Sequence, residues 1–321
     1  MLKRREVLAG LTATAIGGSG WTQSWPARPI RLILNFPPGG PTDVVSRYLA
    51  EKLSPLLGQP IVVDNRSGGA GAIGILAAAN SAPDGYTFLY TATTGLVQVP
   101  LITKDASFDP LRNIVPVAGV GTTPIALFAH ESLPASDFPG FVEWARRQQG
   151  GVDIGGGGPI IEIATAVLSR ETGLKLVYVP YRGTAPVVQA ALSGEIKAFF
   201  STPSPTIADF IKTGRLKALG VTSAQPSRLV PGAEPIGRYV SGYQQDLTYA
   251  IFAPAGIPSD VATKVAAAVS QVLSAPGESE RFLGFGLNLN ALPAAEVNRI
   301  AARDAETIRK TLETTRIKLG G

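Results

Sequence analysis

Apolar residues along the chain fall into short continuous runs separated by longer segments in which they recur every third or fourth position. The runs at 30–34, 86–90, 125–129, 196–200 and 216–221 read as strands buried on both faces, and the segments at 44–57, 138–148, 160–171, 258–273 and 293–312 as amphipathic helices. In order, a strand at 30–34, a helix at 44–57, a short strand at 61–64, an alanine-rich helix ending near 79 and a strand at 86–90 make two βαβ units in succession. Such a series predicts a parallel sheet with right-handed crossovers. A helix over 95–101 and a strand over 115–120 follow.

A second series begins at 125–129. A helix over 138–148, capped by Ser136 or Asp137, precedes a strand at 152–154 and the run Gly155, Gly156, Gly157, Gly158 and Pro159. Helices at 160–171, 185–192 and 207–213 alternate with strands at 175–179, 196–200 and 216–221. Residues 223–243 are polar and turn-rich, and a strand at 249–252 with helices at 258–273 and 293–312 closes the chain. The expected fold class is α/β, with two doubly wound domains around a ligand cleft. Residues 25–122 with 246–321 form domain 1 and residues 123–245 form domain 2. The chain crosses between them twice, which makes a hinge.

Composition narrows the classes. Residues 1–24 have the outline of a secretory signal: Lys3, Arg4 and Arg5 precede a mildly apolar run at 9–18, and the paired arginines point to twin-arginine export. Cleavage between Gly20 and Ser24 lowers the formal net charge from +5 to +3. No segment reaches the ~18 apolar residues of a membrane-spanning helix. The remaining basic residues are dispersed, so no nucleic-acid surface is expected. The absence of cysteine excludes disulfides, thiolate metal sites, a cysteine nucleophile and a lipid-anchored cysteine. His130 is the single histidine, no Gly-x-Ser-x-Gly elbow or Walker motif occurs, and no metal site or cofactor is expected. An exported, cysteine-free protein of this kind is periplasmic.

Candidate chemistry lies in the loops that follow strands. In Phe36-Pro37-Pro38-Gly39-Gly40-Pro41-Thr42-Asp43 two prolines fix φ and two glycines let a ligand approach the main chain. Pro41 and Thr42 open the next helix, with Thr42 as N-cap, and the free first-turn amides make an anion site for a carboxylate or phosphate. The alternative is an ordinary strand-to-helix turn. Asp43 either caps its own helix or faces the ligand. Gly156, Gly157, Gly158 and Ile160 repeat the arrangement in the second series. Glu162 complements the helix dipole, selects a ligand ammonium or repels a second carboxylate. Thr91 and Thr93, and Ser201 and Thr202, follow strands at their carboxyl ends, where open α/β sheets bind ligands. Gly69-Ala70-Gly71-Ala72-Ile73-Gly74 matches GxGxxG, but residues 90–94 lack the carboxylate that holds a ribose, so close backbone packing is the better reading.

The residues 36–43, then Asn65-Arg66, Ala82-Pro83-Asp84-Gly85-Tyr86-Thr87, Val179-Pro180-Tyr181-Arg182-Gly183 and Ala253-Pro254-Ala255-Gly256-Ile257-Pro258, resemble in order and spacing the Bug family. These are the TctC-type periplasmic solute receptors of tripartite tricarboxylate transporters. The resemblance implies a non-enzymatic, monomeric, two-domain binding protein that closes on a small carboxylated solute and delivers it to membrane transporter subunits or a sensor. It implies ligand contacts from Phe36, Pro38, Gly39, Gly40, Thr42 and Asp43, and from Gly156, Gly157 and Gly158. The chain departs from many relatives at Gly155 to Ile160 and Glu162, where a serine-rich loop and a histidine are usual, and at Pro235-Ile236. The rival reading is a lyase or transferase of small acids on the same architecture, which lacks a visible base, nucleophile or cofactor motif.

Overall fold

The structure, a computed structural model, describes residues 25–103 and 108–315; the expected signal segment at 1–24 lies outside the described residues. The first sheet holds β1 (Ile30–Leu34), β2 (Ile61–Asn65), β3 (Thr87–Ala92), β4 (Ile114–Pro124), β10 (Asp246–Pro254) and β11 (Asn288–Leu289), in the order β11-β4-β10-β3-β1-β2. The second holds β5 (Ala126–His130), β6 (Val152–Gly156), β7 (Leu176–Pro180), β8 (Ala198–Ser201) and β9 (Leu216–Val221), in the order β7-β6-β8-β5-β9.

The βαβ units behave as their pattern predicts: β1 pairs in parallel with β2 and β3, and β6 with β7 and β8. Neither sheet is wholly parallel, however. β10 runs antiparallel to β3 and β4, and β5 antiparallel to β8 and β9. The cause is the path of the chain. β4 leads out of the first sheet and β10 leads back in, so the two lie side by side in opposite directions, with Asp246 opposite Pro124 and Pro254 opposite Ile114.

Alternation along β1 and β3 sends Leu32, Leu34, Phe88 and Tyr90 to one face and Ile33 and Leu89 to the other. The first face packs on α1 (Pro41–Leu57) through Val45, Leu49 and Leu53, and on α8 (Ser259–Leu273) through Val265 and Val269. The second packs on α2 (Ala72–Ala79) and α3 (Thr93–Thr103) through Ile75, Leu96 and Val99. Both faces are therefore covered, as an apolar strand run requires. The second sheet lies between α4 (Phe138–Arg146) with α5 (Pro159–Thr172) on one face and α6 (Thr184–Leu192) with α7 (Pro205–Lys212) on the other.

Among the contacts that join the sheets, two bear on the crossing and on the helices beside it. The outgoing strand passes from Pro124 to Ala126 through Ile125, whose N–H donates to Thr222 Oγ1 at 2.9 Å. The Thr222 N–H donates to the Ile125 carbonyl at 2.9 Å, and the Gln245 N–H to the Thr222 carbonyl at 2.9 Å, so the outgoing and returning segments are laced together. The Thr222 hydroxyl lies within hydrogen-bond reach of the Ile125 carbonyl, at 3.0 Å, and of the Gln245 carbonyl. Elsewhere Ile163 of α5 packs with Val97 of α3 and Ile308 of α10 (Ala294–Thr315), and Ile160 lies against the same cluster.

One element absent from the sequence pattern is α9 (Glu278–Gly284), with β11 after it. Its Phe282 and the following Phe285 pack edge-on against Tyr48, whose hydroxyl reaches both Glu278 carboxylate oxygens at 2.7 and 2.8 Å. These contacts are long-range, and the local stretch, with Phe282, Leu283 and Phe285 among charges and glycines, is too short to show a helical period.

Candidate functional site

The loop after β1 ends on Gly40, which takes the extended N-cap conformation (φ −82°, ψ 169°) and puts Pro41 at the first helical position of α1. Thr42 is therefore inside the helix and not its cap. Its side chain lines the same small cavity as the buried Tyr249. Gly39 sits at φ +85°, and a Cβ at Gly39 or Gly40 would meet nothing within 4 Å, so the glycines are open on their side-chain face. Pro38 is exposed and Phe36 is half-buried against the core.

Asp43 is only 4% exposed and braces this loop from behind. Its Oδ2 accepts the Gly39 N–H at 3.0 Å and Arg47 Nε at 2.9 Å, and its Oδ1 accepts Asn65 Nδ2 at 2.9 Å. Asn65 also donates to the Phe36 carbonyl at 3.1 Å. Burial pushes the Asp43 carboxyl up, but the bonds from Arg47, Gly39 and Asn65 outweigh it and hold the group below its ordinary value. The carboxylate oxygens are thus engaged within the loop. Asn65 was visible in the sequence without any signal that it would reach back to Phe36.

The four-glycine run divides into two parts. Gly155 and Gly156 belong to β6, where a Cβ at Gly155 would lie 2.3 Å from Ile196 Cδ1 and one at Gly156 2.2 Å from Ile161 Cγ2. They are glycine because side chains pack over them. Gly157 is exposed and backed by Gly183, and Gly158, at φ +107° with open space beside it, forms the turn into α5. Tyr178 of β7 sits beneath: its hydroxyl accepts the Gly158 N–H at 3.1 Å and faces the Gly156 and Gly158 carbonyls at 3.1 and 3.3 Å. Ile160 turns toward α3 and α10, and Glu162 is half-buried, with desolvation raising its carboxyl above the ordinary value.

Thr202 meets Thr42 across a narrow cavity of about 20 Å³ lined also by Thr123, Tyr90, Tyr249 and Phe285. Here the two sheet units touch, since a Cβ at Gly286 would lie 2.6 Å from the Pro203 carbonyl oxygen. Ser201 is buried, with its hydroxyl 3.4 Å from Thr184 Oγ1. Thr93 is also buried and donates to Asp304 Oδ2 at 2.6 Å. Thr91 points the other way, toward α2 and α3. Its hydroxyl and Asn35 Oδ1 are buried without protein partners near Gly95, whose Cβ position is 3.1 Å from Thr91 Oγ1. Thr91 falls inside β3 and not after it, Thr93 opens α3, and both are fully buried, so neither lies open at the cleft surface. The GxGxxG stretch is close packing, because a Cβ at Gly74 would lie 2.7 Å from the Arg66 carbonyl oxygen and 2.9 Å from Asn35 Cα. His130 ends β5 and bonds Ser132 Oγ at 2.8 Å.

Two glycine turns, each between the carboxyl end of a parallel strand and a proline-opened helix, thus recur in the two sheet units. Residues 45–316 match the tripartite tricarboxylate transporter family receptor, TctC. The chain belongs to the TctC receptor family. BugT of Bordetella pertussis is 31% identical over 293 residues, 89% of each chain. A solved periplasmic transporter superposes with TM-score 0.84 at 28% identity, covering 92% of this chain and 99% of that one. The R. palustris protein Rpa4515, solved with adipate, superposes with TM-score 0.83 at 26% identity over 92% of this chain and 99% of its own. The periplasmic binding protein BugD, at 24% identity and TM-score 0.80, shares the fold. TctC receptors are solute-binding proteins serving transporters, and among the described residues no helix of this one is long and apolar enough to cross a membrane.

Proposed function

We propose that this TctC receptor captures a small carboxylate in the periplasm between the 36–43 turn and the 157–160 turn and hands it to a membrane transporter. The observation that carries the reading is the pair of open glycine turns, each at a strand's carboxyl end and each braced from behind by a side chain, Asp43 in one and Tyr178 in the other. Backbone donors at helix starts are suited to a carboxylate. The adipate held by Rpa4515 supports the same ligand class. In this reading residues 25–122 with 246–321 form one domain and 123–245 the other, and solute shifts the population toward their closed arrangement. Gly39, Gly40, Gly157 and Gly158 approach the solute, Phe36, Pro38, Ile160, Thr42 and Thr202 shape the space around it, and Asp43 holds the first turn without touching it. The receptor works without turnover of its ligand.

Native mass spectrometry of protein purified without added ligand, followed by calorimetry with the acid it retains, tests the reading. Gly40→Val puts a branched side chain on the open face of the first turn, and binding is expected to be lost. Unchanged affinity in that variant would remove the first turn from the site.

A further inference from the structure

The second turn carries an arrangement that the sequence does not announce. Tyr178 lies in β7, the edge strand of its sheet, directly opposite Ile154 of β6, the strand that feeds the turn. Gly156 makes room for the tyrosine ring: a Cβ there would come within 3.2 Å of Tyr178 Cε2. The ring therefore passes under the turn, and its hydroxyl emerges among three backbone atoms. The Gly158 N–H donates to it at 3.1 Å, and its own proton has the Gly156 carbonyl at 3.1 Å and the Gly158 carbonyl at 3.3 Å as acceptors. Nothing else lies near Gly158 on its side-chain face.

We propose that Tyr178 is the positioning residue of the second turn, fixing the direction in which residues 157–160 present their backbone to the solute. The inference rests on the reading of that turn as a ligand contact. A glycine at φ +107° has few intrinsic restraints, so a turn built on it is ordered only by what it bonds. The Gly158 carbonyl accepts the Ile161 N–H at 3.1 Å and the Gly156 carbonyl the Tyr181 N–H at 2.8 Å, while Tyr178 takes the Gly158 N–H from the protein interior and leaves the outer face free. Burial raises the phenol above its ordinary value, the Gly158 bond lowers it, and the Glu162 charge raises it again, so at neutral pH the hydroxyl keeps its proton and can both accept and donate. The first turn has the same design with different chemistry, an Asp43 carboxylate taking the Gly39 N–H. One consequence concerns recognition: the Gly158 amide is committed to Tyr178, so the solute is held by other donors of the turn.

Tyr178→Phe tests this, because the ring still fills the space left by Gly156 while the hydroxyl is removed. Two measurements are made on wild type and variant: hydrogen exchange by mass spectrometry on peptides covering 36–43 and 155–162, and calorimetry with adipate and other short dicarboxylates as probes. The expected result is several-fold faster exchange confined to 155–162, with affinity lower by about tenfold, the effect of one lost hydrogen bond on an ordered contact. Unchanged affinity overturns the inference whatever the exchange shows. Faster exchange throughout the molecule with a lowered unfolding midpoint also overturns it, as that is the mark of a merely structural tyrosine. If the wild type binds no carboxylate, the reading of the turns as a ligand site fails; if it binds and the variant binds equally, only the role of Tyr178 fails.

Discussion

Replacing Asp304 by Asn should make this receptor more stable at neutral pH, and the size of the gain follows from its surroundings. Asp304 projects from α10, its side chain is 12% exposed, and burial raises its carboxyl from the ordinary 3.8 to about 6, against smaller downward effects of the Thr93 bond and Arg303. The folded state therefore holds the proton more tightly than the unfolded chain. Below the unfolded value both states are protonated and the group costs nothing. As pH rises from 3.8 to about 6 the unfolded chain ionises first and the fold loses stability, reaching a penalty of about 3 kcal/mol above that window. Asn removes the charge and keeps an oxygen for the Thr93 hydroxyl; the weaker bond to a neutral acceptor is already counted in the raised carboxyl value. Arg303 is largely exposed and 3.9 Å away, so its lost attraction is small. The net expectation is a gain of about 3 kcal/mol near neutral pH that vanishes at low pH. Urea unfolding of both proteins across the acid range measures it. A variant less stable at neutral pH, or a difference that does not change with pH, would refute the reasoning by showing that the carboxylate is well solvated in the fold.

Other expectations follow from packing and from the crossing between sheets. Gly156→Ala should cost about 1–3 kcal/mol of stability through overpacking against Ile161, read in a denaturant titration; a neutral effect would return Gly156 to the list of glycines kept for the ligand. Thr222→Val keeps the shape of a fully buried side chain but leaves the Ile125 N–H without its acceptor, so a loss of about 1–3 kcal/mol is expected in the same assay. A loss below ~0.5 kcal/mol would mean that the backbone at the crossing relaxes to repair the bond.

The parts of the fold legible in the sequence are those written in local chemistry. Pro41 after Gly40, and Pro159 after Gly158, mark helix starts wherever the rest of the chain goes, and the apolar runs at 30–34 and 216–221 become β1 and β9 with the same bounds. What failed to show depends on partners distant in sequence. Gly155 and Gly156 look like loop glycines until Ile196, Val187 and Ile161 are placed above them. Asp43 looks like a cap or a ligand contact until Arg47 and Asn65 close on it. Thr42 reads as the cap that Gly40 takes, because backbone conformation decides that position and glycine adopts it without a side-chain bond. The direction of β10 was hidden because an isolated apolar strand carries no sign of whether its neighbours run with it or against it. Tyr178 gave no signal at all, since its role comes from a phenol oxygen arriving under a turn twenty residues away.

The lacing at Thr222 has a mechanical corollary. Its hydroxyl owns one proton and has the carbonyls of Ile125 and Gln245 as alternative acceptors, one on the outgoing strand and one on the returning strand. A rotation of a single C–O bond transfers the donated bond from one strand to the other, while the Ile125 N–H remains bonded to the same oxygen. Either arrangement of the hydroxyl leaves no buried donor stranded. In engineering terms the residue is a pinned joint: the hydroxyl is free to turn, while the backbone bonds of Thr222 to Ile125 and Gln245 hold the two segments in register.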